Sequence, residues 1–145
     1  MKSDYELIRE LTAHYAGAID ARDYDAIAAC FAPDAKVVYA GYSEELTGHE
    51  AIVAHMRRTL DPLDATQHLF ANFIIDIKGP AARMTCDILA QHLQNGATFL
   101  AGGKYETRLV ILRGHWKFSR IVARTVWSSG DRGMLPSLEL VLGTG

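Results

Sequence analysis

The sequence predicts an α+β fold in which helices cover one face of a curved antiparallel sheet. Two observations carry that expectation. Helical periodicity and helix punctuation are confined to roughly the first sixty residues. From Gln67 onward the chain is rich in β-branched and aromatic residues, interrupted by turn signals. A chain of 145 residues, 49% hydrophobic and 22% charged, is sized for one domain spanning residues 1–145. It is too apolar to be disordered, and residues 130–145 read as a C-terminal tail.

Residues 4–21 form the first expected helix, with Ile8, Leu11, Tyr15, Ala18 and Ile19 at helical spacing and Asp4 and Glu6 suited to the positive end of the macrodipole. From Leu11 to Ala21 the only polar residues are Thr12, His14 and Asp20, so this half is expected to be covered on more than one side. Asp20 lies off the main stripe, and amphipathicity alone would leave it in solvent. A second helix runs from Tyr24 to Phe31 behind an Asp23 cap and ends at Pro33. Lys36 to Ala40 reads as a short strand, followed by a Gly41-Tyr42-Ser43 loop. Thr47-Gly48-His49-Glu50 has the spacing of a capping box, opening a third helix with Ile52, Val53, Met56 and Leu60 inward and Pro62 beyond it.

The strands follow. Gln67 to Ile77 ends at Lys78-Gly79-Pro80, and Ala81 to Gln94 ends at Asn95-Gly96, a strong hairpin signal. Thr98 to Leu112 and Trp116 to Trp127 complete an antiparallel meander. Gly102-Gly103 inside a strand reads as a bulge. In the tail, Leu138, Leu140, Val141 and Leu142 are expected to pack on a neighbour or a sheet edge.

Composition removes several functions. A net charge of −2 from 15 basic and 17 acidic residues offers no basic face for nucleic acid. No apolar run is long enough to span a bilayer and the N-terminus has no signal-peptide pattern, so a soluble cytoplasmic protein is expected. Cys30 and Cys86 provide neither a disulfide framework nor a zinc site. The motifs of dinucleotide, phosphate-loop, esterase and zincin chemistry are missing, so function must sit in a pocket.

Of six histidines, His14, His49, His55 and His115 read as surface or packing residues. His68 differs, because it alternates in phase with Phe70 and Asn72. His92 falls in phase with Met84, Cys86, Ile88 and Ala90, an apolar strand face. Both can point into an apolar space, or be core histidines bonded to a carbonyl. Tyr15 and Tyr39 could polarise a carbonyl in such a pocket, or simply be core.

Taken together, Asp20-Ala21-Arg22-Asp23-Tyr24-Asp25, Phe31-Ala32-Pro33-Asp34-Ala35-Lys36-Val37, Leu46-Thr47-Gly48-His49-Glu50-Ala51-Ile52, Thr66-Gln67-His68 with Asn72, Gly102-Gly103-Lys104-Tyr105 and His115-Trp116-Lys117-Phe118 resemble, in order and spacing, the SnoaL-like branch of the NTF2-like superfamily. The resemblance covers about residues 5–131. It implies a cone-shaped barrel of three N-terminal helices on a strongly curved antiparallel sheet, enclosing one deep hydrophobic pocket. It implies a homo-oligomer, dimer or trimer, and an enzyme that uses no cofactor and no metal.

Asp20 and His68 fall where the family's dehydratases carry a paired aspartate and histidine, and Tyr39 where scytalone dehydratase has a catalytic tyrosine. His92 falls near that enzyme's second pocket histidine. Ile19 stands where it has another tyrosine, and Tyr39 stands where ketosteroid isomerase has its base. The implied reaction is elimination: Asp20 holds Nδ1–H of His68, whose Nε2 takes a proton beside an activating carbonyl or phenol. Water, or a small carbonyl compound, departs while Tyr39 and His92 donate to developing oxyanions. The expected substrate is an apolar or aromatic hydroxylated molecule lined by Tyr15, Phe70, Asn72, Met84, Phe99, Phe118 and Trp127. An isomerase or polyketide-type cyclase, a non-catalytic binding domain and an oxygenase small subunit are the alternatives.

Overall fold

The computed structural model describes residues 1–40 and 45–134. Helices α1 (Asp4–Ala21) and α2 (Tyr24–Ala29) lead into β1 (Phe31–Tyr39) and β2 (Leu46–Thr47). Then come α3 (Gly48–Leu60), β3 (Ala65–Lys78), β4 (Ala81–Gln94), β5 (Ala97–Leu112), β6 (His115–Gly130) and a 3-10 turn, Arg132–Met134. The strands form one curved sheet in the order β2-β1-β6-β5-β4-β3. It matches the NTF2-like architecture, but it is not closed into a barrel. Neighbours are antiparallel except β1 and β6, which run parallel. β1 joins β6 from outside the meander, so no hairpin dictates its direction.

The meander has four strands, β3 to β6. Asn95 (φ 51°) and Gly96 (φ 81°) take the left-handed pair that a two-residue hairpin requires, and Arg113 and Gly114 do the same between β5 and β6. Asparagine visits this region at low cost and glycine at none.

Several local expectations are corrected. The second helix stops at Ala29, and Phe31 opens β1, where it is buried and pairs with Phe118 of β6. The β1–β6 register breaks between Phe31 and Lys36, which lets Pro33 sit in a strand without a missing ladder bond. Thr47 precedes α3 but makes no side-chain cap. Gly48 has φ 85°, and this left-handed turn carries the first helical N–H groups away from the threonine. The capping box lies instead at Ser3–Glu6, with Glu6 N–H donating to Ser3 Oγ (3.2 Å) and Ser3 N–H to Glu6 Oε2 (3.1 Å). α1 is covered on one side only, since Ala13, Gly17 and Ala21 are exposed. The Gly41-Tyr42-Ser43 loop and the apolar tail group from Leu138 to Leu142 lie outside the described residues.

The core is a ring cluster on the concave face. Tyr15 of α1 meets Phe31 and Phe118 edge-on at 5.4 Å each, in the same buried cluster as Ile8, Ile27 and Ile52. Fully burying such a side chain is worth about 1.5–3 kcal/mol. The ring contacts continue from Tyr15 to Phe70 (6.3 Å) and from Phe70 to Tyr105 (5.1 Å), and Tyr105 reaches a cavity. Among the described residues no helix is long and apolar enough to cross a membrane.

Candidate active site

α1 ends at Ala21 because Arg22 adopts the left-handed cap conformation (φ 54°), its guanidinium donating to the Leu63 carbonyl. That end of the helix lies against β3, so Asp20, one residue from the terminus, meets the strand. Its Oδ1 accepts from His68 Nδ1 at 2.7 Å and from Thr66 Oγ1 at 2.9 Å, and its Oδ2 accepts from the His68 backbone N–H at 3.0 Å. Burial on its own would raise the carboxyl pKa. The His68 hydrogen bonds and charge, with the Thr66 hydroxyl, outweigh it and hold the group below its usual value. Asp20 is therefore an acceptor-only carboxylate that places the His68 proton on Nδ1 and leaves Nε2 with a lone pair.

His92 stands beside this pair because it is the β4 partner of Thr66. The two imidazoles cross at 88° with 5.8 Å between centres. His92 Nδ1 lies 3.0 Å from the Phe99 carbonyl, which can only accept, so the ring proton sits on Nδ1. Burial pushes its pKa down to about 4, with the Phe99 bond opposing, His68 adding to the fall and Asp20 opposing. At neutral pH His92 thus presents a lone pair at Nε2, which corrects the expectation that it donates to an oxyanion.

His68 and His92 line one wall of a partly open, mostly apolar cavity of about 80 Å³. Tyr39 of β1 and His55 of α3 line another part of it, their rings 4.9 Å apart and tilted by 34°. Ile88, Ala101, Tyr105 and Ala123 provide apolar surface between them. Burial raises the pKa of Tyr39 and of Tyr105, so both phenols are neutral donors. Asp20 stands behind the His68 ring and does not line the cavity.

The remaining expected pocket residues lie elsewhere. Tyr15, Met84, Phe99 and Phe118 are fully buried in the core, and Phe70 packs between Tyr15 and Tyr105. Asn72 is corrected to the outer face. A β3 bulge between Ala71 and Ile74, with Asn72 at φ 57°, shifts the inward phase from Thr66, His68 and Phe70 to Phe73, Ile75 and Ile77. Its amide donates to Asp87 at 2.7 Å. Trp127 is likewise on the outside and half exposed, because the β5–β6 register breaks between Gly102 and Gly103. Of the cavity residues that the sequence reading did not expect, His55 and Tyr105 bring rings with polar atoms. Helical phase carried a signal for His55, three residues after the inward Ile52.

The SnoaL-like domain family matches residues 2–122. The chain belongs to the SnoaL-like family, within the NTF2-like superfamily. Solved structures share the fold of this SnoaL-like domain. A Novosphingobium aromaticivorans DSM 12444 protein provisionally assigned as a scytalone dehydratase is 24% identical, with 89% of this chain and 88% of that one covered and a TM-score of 0.83. A provisionally assigned aromatic ring hydroxylase from Novosphingobium aromaticivorans is 22% identical, with 95% and 96% covered and the same TM-score. A type 2 hexachlorocyclohexane dehydrochlorinase, LinA, is 18% identical over 89% of each chain, with a TM-score of 0.78. Curated protein sequences hold no significant match to the chain.

Proposed function

We propose that this SnoaL-like chain is a cofactor-independent lyase that removes water, or a related leaving group, from a hydroxylated apolar or aromatic small molecule. The observation that carries this reading is the 2.7 Å contact from Asp20 to His68 Nδ1 at the wall of a mostly apolar cavity. Asp20 fixes the tautomer, and His68 Nε2 removes a proton from the carbon beside a carbonyl. The electron pair left behind forms the new C=C bond as the adjacent C–O bond breaks. The imidazolium then passes its proton to the departing hydroxyl, which leaves as water. His92 Nε2 accepts from a substrate hydroxyl and orients it. Conjugation with the carbonyl spreads the charge, so these residues suffice for the step.

The relatives named as a dehydratase and a dehydrochlorinase share this scaffold and support elimination chemistry. The homo-oligomer that the resemblance implies has support in Leu69, Val126 and Trp127, apolar side chains left exposed on the outer sheet face.

The test is a panel of β-hydroxy ketones and hydroxylated aromatic ketones in deuterated buffer, followed by mass spectrometry. Loss of one water, falling about 10²–10⁴-fold in His68→Ala, is the expected result. Solvent deuterium incorporated without loss of mass would instead mark an isomerase. Full turnover by His68→Ala would remove His68 as the base.

A further inference from the structure

Four histidines of the described chain are buried or partly buried, and three have a protein partner for a ring nitrogen. His68 is held by Asp20, His92 by the Phe99 carbonyl and His49 by the Phe31 carbonyl at 2.9 Å. His55 is 3% exposed and has no hydrogen-bond partner among the described residues. An imidazole carries one donor and one acceptor, and among the described residues neither ring nitrogen of His55 is a sealed-off, unpaired polar atom. Its ring is stacked, tilted, on Tyr39. The ring lines the cavity, and the cavity is where a partner can reach it.

The fold places His55 on a different part of the cavity wall from the dyad. β1 and α3 carry Tyr39 and His55, whereas β3 and β4 carry His68 and His92. In the sheet, β1 and β4 are separated by β6 and β5. Three strand spacings are roughly 14 Å along the sheet, and the intervening strands line the cavity there with Ala101, Gly102, Gly103 and Tyr105 of β5 and Ala123, Arg124 and Thr125 of β6. The cavity therefore carries imidazoles at two separate parts of its wall.

We propose that His55 is a specificity-determining residue whose ring nitrogen hydrogen-bonds a second hydroxyl of the substrate, at the end remote from His68. The substrate class is then a flat apolar molecule with oxygen functions at both ends. This rests on the small-molecule reading of the cavity, but not on turnover. A hydroxyl is the matching group because it both donates and accepts. Burial, with Arg58 adding to it, keeps His55 neutral and so disfavours a carboxylate there.

Calorimetric titration of the full chain with naphthol, and with naphthalenediols bearing one hydroxyl on each ring, tests this. The wild type should bind at least one diol about tenfold tighter than naphthol. In His55→Phe, which keeps the ring stack, the preference for the diol over naphthol should be lost. His55→Gln, which keeps a donor and an acceptor, should retain part of it. His68→Ala should weaken naphthol and the diol alike, so a catalytically silent protein would still display the His55 effect. The proposal is overturned if no diol exceeds naphthol on the wild type, or if the preference survives in His55→Phe.

Discussion

Asp20 grips His68 at two points, through the imidazole Nδ1 at 2.7 Å and through the backbone N–H at 3.0 Å. One carboxylate thus sets both the tautomer of the ring and the position of the strand that carries it. In Asp20→Asn the side chain can still accept at one atom, but it offers an N–H where the His68 or Thr66 bond had an acceptor. Hydrogen bonds to a charged group are worth about 1.5–3 kcal/mol. A stability loss of about that size is expected by denaturant titration, together with a fall in turnover. His68→Ala should lose turnover while keeping most of the stability. A variant pair with equal stability losses would show that the carboxylate does not clamp β3.

Tyr15 carries the one buried side-chain polar atom without a hydrogen-bond partner among the described residues, its hydroxyl. Its ring is fully used by Phe31, Phe70 and Phe118. Tyr15→Phe keeps that packing and removes the unpaired group, so it should leave stability unchanged or raise it by about 1 kcal/mol. A drop in melting temperature would mean that the hydroxyl is satisfied by a bound water or ligand.

Two buried neutral histidines give the protein a defined acid sensitivity. His55 and His92 are each pushed from 6.5 down to about 4, first by burial. Between those values the unfolded chain binds more protons than the folded one. Stability should therefore fall as pH falls, by up to about 1.4 kcal/mol per pH unit for each ring. Asp20 acts in the same sense at lower pH, since its depressed carboxyl adds stability above its unfolded value and loses it below. Thermal melts from pH 7 to pH 5 should show a steady decline, and the double variant His55→Phe/His92→Phe should flatten it. A flat wild-type profile would contradict the neutral buried state of both rings.

The adjacent glycines of β5 should respond very differently to alanine. A Cβ on Gly103 would sit 2.1 Å from the Arg124 carbonyl, which is backbone of the paired strand. One on Gly102 would meet the Trp127 ring at 2.1 Å, and that ring is half exposed and free to swing. Gly103→Ala should cost about 1–3 kcal/mol as the bulge deforms, and Gly102→Ala clearly less. Equal losses in chemical unfolding would refute the distinction.

Much of this architecture was legible in the chain itself. Period 3.6 over residues 4–21 and period 2 along Ala81 to Gln94 report how each side chain points relative to its own element, and Asn95-Gly96 encodes a turn through backbone sterics. The family resemblance paired Asp20 with His68, which periodicity did not, since Asp20 lies off the α1 stripe. What brings them together is the end of α1 lying against β3, a relation between elements that neither segment encodes alone. The pocket lining was read less well for the same reason. Asn72 and Trp127 keep the right alternation until a bulge in β3 and a register break between β5 and β6 turn them outward. His55, among charged neighbours on α3, became a cavity residue only because β1 carries Tyr39 against that helix. Local periodicity determined the elements, while bulges, register and helix-on-sheet packing decided which side chains share a cavity, because those depend on contacts between residues distant in sequence.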